Sequence, residues 1–142
     1  MTQTCPIRVC LYQPEMNILK RKDFARWQEN EKLSDNALCT AVHEMEIGLI
    51  DADLGACLYK KRIAGLSKGK SGGFRTLLSA RINHRYIFLH GFSKSEKTNI
   101  TSYEKKALQR AGKIFLELSH VNLIKALQHG VLLEIDCEKQ NN

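Results

Sequence analysis

Phe74-Arg75-Thr76-Leu77-Leu78-Ser79-Ala80-Arg81, then Ile82-Asn83-His84, then Arg85-Tyr86-Ile87-Phe88-Leu89-His90-Gly91-Phe92: this stretch decides the fold. Two apolar runs flank a short break, the pattern of two strands and a hairpin turn. Upstream, residues 58–63 read as another strand with cationic members. A Gly/Lys/Ser loop over residues 65–73 separates it from Phe74. Three strands joined by short connections predict an antiparallel sheet.

Working outward, residues 50–55 have turn composition. Further upstream, Phe24 and Trp27 recur at helical spacing within residues 22–30. Ser34 is a plausible N-cap with Asp35 in the first turn. Ala37, Leu38, Ala41, Val42, Met45 and Leu49 then mark one face of a second helix that Gly48 helps to end, giving an αα-hairpin. Cys39 and His43 read as helix core and surface rather than as chemistry. Residues 16–20 form a natural first strand.

Downstream, a helix is predicted over 102–118, with Tyr103, Ala107, Ala111, Ile114, Phe115 and Leu118 on its apolar side. Ser119 or His120 caps a further helix to Gln128, which Gly130 closes in the left-handed conformation. Residues 131–135 form a last strand. The order β, α, α, β, β, β, α, α, β predicts an α+β fold. Its small twisted antiparallel sheet is backed on one side by the N-terminal helical hairpin and the C-terminal helices.

At 142 residues the chain has the size of one domain. Residues 1–15 hold both prolines and share no pattern with the rest of the chain. They read as an N-terminal extension, and Met16 as a candidate translation start. The domain is expected over residues 16–136, followed by a polar tail over 137–142. No apolar run approaches the roughly 18 to 20 residues needed to cross a bilayer. The start also lacks a signal-peptide pattern, so the expected location is the cytoplasm, with no membrane partner. Cys5, Cys10, Cys39, Cys57 and Cys137 are odd in number and scattered, without a C-x-x-C pair, and suggest no disulfide framework. The five histidines are equally dispersed, so neither metal nor cofactor is expected.

Charge is the strongest functional signal. The formal net charge is +7. Residues 54–95 contain no Asp or Glu but hold Lys60, Lys61, Arg62, Lys68, Lys70, Arg75, Arg81, Arg85 and Lys94. A regional field of one sign attracts a polyanion of the other; a solvated basic face with no partner is the plainer alternative. At its centre, Gly69-Lys70-Ser71-Gly72-Gly73-Phe74-Arg75 alternates glycines and cations ahead of a strand. Glycine permits the close backbone approach that suits a phosphate-wrapping loop. The run is not a nucleotide-hydrolase phosphate loop. Gly65 lies four residues before Gly69 rather than five, and a strand comes next where a helix N-terminus is required.

Gly69-Lys70-Ser71-Gly72-Gly73-Phe74-Arg75, then Tyr86-Ile87-Phe88-Leu89-His90-Gly91-Phe92-Ser93-Lys94-Ser95-Glu96, then Asn99-Ile100 and a helix opening Tyr103-Glu104, resembles the RelE/HigB-like toxins of type II toxin–antitoxin modules. Leu33-Ser34-Asp35-Asn36-Ala37-Leu38 and the segment 48–55 look like the N-terminal helices of the same branch. The resemblance spans residues 16–135. It implies a small ribonuclease that acts without metal, usually on messenger RNA in the ribosomal decoding site. It also implies a cognate antitoxin, of helix-turn-helix type and encoded in the adjacent gene, that holds the toxin inactive.

Metal-free RNA cleavage needs a base for the 2′-hydroxyl, charge stabilisation at phosphorus and an acid for the 5′-oxygen. Arginine cannot release its proton, so Arg75 falls to charge stabilisation by a bidentate clamp. Lys70 and Lys94 match the family's lysines and are the expected base, acid or phosphate-binding groups. Neighbouring cations and burial can lower a lysine's pKa toward the working range. Arg62, Lys68, Lys97 and Tyr103 are expected to bind substrate; Lys60, Lys61, Arg81 and Arg85 are assigned to general electrostatics. Many relatives carry a C-terminal tyrosine that this chain lacks after Ile135, leaving Tyr103 as the candidate or as a packed helix residue. His90 reads as a packed strand histidine before a base. Two other readings stay open: a ParE-like inhibitor of DNA gyrase on the same scaffold, and a non-catalytic RNA-binding module.

Overall fold

The computed structural model describes residues 16–64, 73–93 and 100–137. Its elements in chain order are β1 (Asn17–Arg21), α1 (Lys22–Glu31), α2 (Asp35–Glu46), β2 (Ala52–Asp53), β3 (Leu58–Ile63), β4 (Phe74–Arg81), β5 (Arg85–Ser93), α3 (Ser102–Leu116), α4 (His120–Gln128) and β6 (Leu132–Glu134). The fold is α+β. Every expected helix and strand is found to within a few residues, and β2, read as part of a turn, is an addition. No described helix is long and apolar enough to cross a membrane.

The sheet is mixed, with strand order β2-β3-β4-β5-β1-β6. Strands β2 to β5 succeed one another as antiparallel neighbours. Contrary to the expectation of a purely antiparallel sheet, β1 runs parallel to β5, with Ile18 opposite Tyr86 and Leu19 opposite Ile87. A hairpin can join only consecutive strands, and β1 is followed by two helices. It is therefore free to slot between β5 and the antiparallel β6.

Helices cover both faces of the sheet, not one. Ile18, Leu78, Ala80, Tyr86 and Phe88 pack with Phe24, Leu38, Val42 and Met45 of α1 and α2. Their neighbours Leu19, Leu77, Ile87, Leu89 and Phe92 pack with Leu108, Leu116 and Leu123 of α3 and α4. Successive strand residues point to opposite faces. Unbroken apolar runs such as Leu77-Leu78 and Tyr86-Ile87-Phe88-Leu89 are thus what a sheet buried on both sides requires.

Two glycines set how closely the helices approach. A Cβ on Gly91 would overlap the Trp27 ring, which lies over the sheet and meets Phe74 edge-on at 5.5 Å. A Cβ on Gly112 would overlap Ser79 Oγ on β4. The inward face of α3 is therefore Leu108, Gly112 and Leu116, while Tyr103 (83% exposed) and Ile114 (58%) look outward. This corrects the expected apolar side at Tyr103 and Ile114, while Phe115 and Leu118 of the expected set do pack against the core; Leu49, placed on the face of α2, is exposed. The caps at Ser34 and Ser119 are as expected, and the one at Thr101 is an addition. Ser34 Oγ accepts from Ala37 N at 3.1 Å, Ser119 caps α4, and Thr101 with Glu104 forms a full capping box on α3.

One covalent feature runs against the sequence reading. Cys39 on α2 and Cys137, beyond β6, form a disulfide across 98 residues. Scattered cysteines conceal it, because sequence distance says nothing about which ends of a fold meet.

Candidate nucleic-acid interface

Side chains directly opposite on paired strands share a face of the sheet. Arg62 of β3 pairs with Arg75 of β4, and Arg75 with Phe92 of β5. One step along, Lys60 pairs with Leu77, and Leu77 with His90. Leu77 and Phe92 belong to the core under α3. Lys60, Arg62 and Arg75 therefore rise from the α3 side of the sheet, as does His90, whose ring lies 5.8 Å from that of Phe92.

Beside them is a cleft of ≈ 210 Å³ lined by Leu54, Lys60, Leu77, Phe92, Ile100, Thr101, Ser102 and Lys105. Its walls are held by elements that the sequence dictates locally. The capping box starts α3 at Ser102, and Gln109 Nε2 on that helix donates to Leu54 O at 2.9 Å. Lys105, one turn in, and Lys60 thus line the same cleft with the apolar Leu54, Leu77, Phe92 and Ile100. Tyr103 stands exposed beside Ser102 at the head of the helix, which excludes its reading as a packed residue.

The cations differ in what they hold. On the α1–α2 side, Lys20 Nζ meets Asp35 Oδ1 at 2.9 Å and donates to Gln28 Oε1 at 2.7 Å. Lys61 Nζ, nearly buried, meets Glu44 Oε1 at 2.7 Å and donates to Leu49 O at 3.0 Å. At the far end of the sheet, Arg85 Nη1 donates to Phe115 O at 3.0 Å and Leu118 O at 2.9 Å, where it caps the negative end of α3. Burial, followed by the nearby charge of Arg81, pulls the Arg85 pKa below its ordinary value. Lys61 and Arg85 thus have structural partners in addition to their charge.

By contrast, no carboxylate among the described residues pairs with the side chains of Lys60, Arg62, Arg75 or Lys105. Asp51 uses Oδ2 to accept from Arg62 N at 2.6 Å, a backbone contact that leaves the guanidinium out of the pair. Arg62, near the sheet edge, also borders a hollow of ≈ 250 Å³ with Ala37, Thr40, Ala41 and Glu44.

Of the residues expected from the sequence, Arg62 and Arg75 come together, and Tyr103 heads the helix that walls the adjacent cleft. Lys68, Lys70, Lys94 and Lys97 lie outside the described residues. Lys60 has more than a general electrostatic place: pairing with Leu77 puts it on the cleft, and strand alternation from Leu58 separates it from Lys61. Lys105 escapes a sequence reading because it looks like one of several charges on an amphipathic helix.

No curated protein matches this chain. The family model described as the RelE toxin of the RelE/RelB toxin-antitoxin system matches residues 16–135, from the residue before β1 to the residue after β6. That span takes in the described sheet, the four described helices and the cations of β3 and β4, and the chain belongs to the RelE toxin family.

Proposed function

We propose that this toxin is a messenger-RNA endonuclease that acts on translating ribosomes in the cytoplasm, with the α3 side of β3 and β4 as its RNA-binding and cleaving surface. The observation that carries the reading is the segregation of charge. Lys61, Lys20 and Arg85 are engaged by protein groups, whereas Lys60, Arg62, Arg75 and Lys105 present their charges to one face with no described carboxylate as counter-ion. Such a surface stabilises a phosphodiester backbone and the extra negative charge of its transition state.

In this reading the 2′-hydroxyl attacks the neighbouring phosphorus, and the 5′-oxygen leaves. The products are a 2′,3′-cyclic phosphate and a 5′-hydroxyl. Arg75 clamps two non-bridging oxygens as the phosphorane forms. Lys70 and Lys94 exchange protons with the 2′- and 5′-oxygens. Arg62, Lys60 and Lys68 hold flanking phosphates, with Lys97 and Tyr103 as further substrate contacts. The family implies a cognate antitoxin. We infer that it is a helix-turn-helix protein encoded next door, and that it covers this basic face.

Induced expression tests the function. Growth arrest with transcripts cut only during translation, both relieved by Arg75→Ala, is the expected result. Arrest with intact transcripts and altered plasmid supercoiling would instead assign the toxin to gyrase inhibition.

A further inference from the structure

The Cys39–Cys137 bridge joins two places that nothing in the RNA-binding surface uses. Cys39 is 4% exposed, set in α2 among the first core's residues. Cys137 is half-buried against the same core, beyond a three-residue edge strand that pairs only with β1. The last backbone bond before it is Ile135 N to Ile18 O at 2.8 Å. Cys57, the other cysteine among the described residues, is exposed and free, so the bridge belongs to no larger framework there.

Two features bear on what this bond does. Both cores are built chiefly from packed side chains of the sheet and helices. The bond also closes a loop of 98 residues, and constraint of the unfolded chain grows with loop length. Opening it is therefore expected to lower stability strongly.

We propose that Cys39 and Cys137 form a reversible thiol–disulfide clasp that ties the C-terminal segment to α2 in response to low-molecular-weight disulfides. The more accessible Cys137 thiolate attacks the external disulfide, forming a mixed disulfide and expelling one thiol. The Cys39 thiolate then attacks Cys137 Sγ and expels the second. Two protein thiols and one external disulfide become one protein disulfide and two external thiols, with both protons carried away. Because Cys39 is enclosed, the second step requires Cys137 to be seated first. The clasp thus reports whether the C-terminal segment is docked.

The test uses the full-length wild-type chain and Cys137→Ser, each equilibrated with oxidised glutathione or with dithiothreitol. A non-reducing peptide map of the oxidised wild type should show the Cys39 peptide joined to the Cys137 peptide. Dithiothreitol should separate them under native conditions and lower the melting temperature by roughly 10 °C, with the far-UV spectrum unchanged. Cys137→Ser should melt near the reduced wild type in both buffers. Absence of the joined peptide, equal melting in the two buffers, or a bridge that opens only after denaturation would each overturn the proposal. No RNA enters the measurement, so its outcome is independent of the nuclease reading.

Discussion

Arg62 and Arg75 stand directly opposite one another on β3 and β4, two guanidinium groups on one face of the sheet with no described carboxylate paired to either. Like charges in cross-strand register are destabilising, by a fraction of a kcal/mol up to about 1 kcal/mol. A fold that only needed to be stable would place an acid or an apolar residue at one of these positions. Under the proposed function, a phosphodiester brought from outside would resolve the conflict.

Replacing Arg75 should separate function from stability. Arg75→Ala is expected to reduce RNA cleavage by at least about a hundredfold, the scale of removing one charge-stabilising donor. Its unfolding free energy should stay level or rise by a few tenths of a kcal/mol as the repulsion is relieved. Arg75→Lys should not restore the rate, because a point charge cannot make the bidentate contact. Cleavage kinetics with urea unfolding of the same preparations checks both halves.

Lys60 and Lys61 are neighbours in sequence with opposite roles. Lys60→Gln, on the cleft, should weaken RNA binding roughly tenfold and leave stability unchanged. Lys61→Gln breaks the contacts to Glu44 and Leu49 and should cost about 1–2 kcal/mol of stability, moderated by the half-exposed Glu44. Its RNA affinity should be near wild type. Paired denaturation and RNA-binding titrations distinguish the two.

Gly91 and Gly112 are contact points with no room for a methyl group. Gly112→Ala should push α3 away from Ser79 and destabilise by roughly 1–3 kcal/mol, and Gly91→Ala should do the same through Trp27. Because Trp27 is the sole tryptophan, its fluorescence should shift in Gly91→Ala and stay unchanged in Gly112→Ala.

Alkaline unfolding should report Tyr86. Burial raises its pKa above the ordinary 10.0, opposed by the hydrogen bond that its Oη accepts from Asn83 N at 2.8 Å and aided by Glu46. The folded state therefore holds this proton more tightly than the unfolded chain. Its contribution is complete below about pH 10 and is lost as pH rises through the raised folded value. Tyr59, raised by burial and then by Asp53 and Cys57, has the same sign. Stability measured from about pH 9 to 11 should fall less steeply in Tyr86→Phe than in the wild type.

The local grammar of the chain is legible in its sequence. Ser34 and Ser119 cap helices because their hydroxyls answer free N–H groups three residues on, and Gly130 ends α4 because it can take φ +75°. Whatever depends on the third dimension is harder. Reading Leu77-Leu78 as one half-buried strand hides the second helical layer, although unbroken apolar runs are the mark of two-sided burial. Large apolar residues draw the face of α3 toward Tyr103 and Ile114, whereas the buried stripe runs through Gly112, which hydropathy does not flag. On β3, the charge of Lys60 and Lys61 is identical on paper. Strand alternation puts them on opposite faces, but it is Glu44, arriving from α2, and Leu49 O that make Lys61 a structural residue.

The most direct test is to map the ends of messenger RNA fragments produced by purified toxin on programmed ribosomes, wild type against Arg75→Ala. The account predicts upstream fragments ending in 2′,3′-cyclic phosphate and downstream fragments beginning with 5′-hydroxyl, both abolished in Arg75→Ala. Fragments ending in 3′-hydroxyl, or undiminished cleavage by Arg75→Ala, would contradict it.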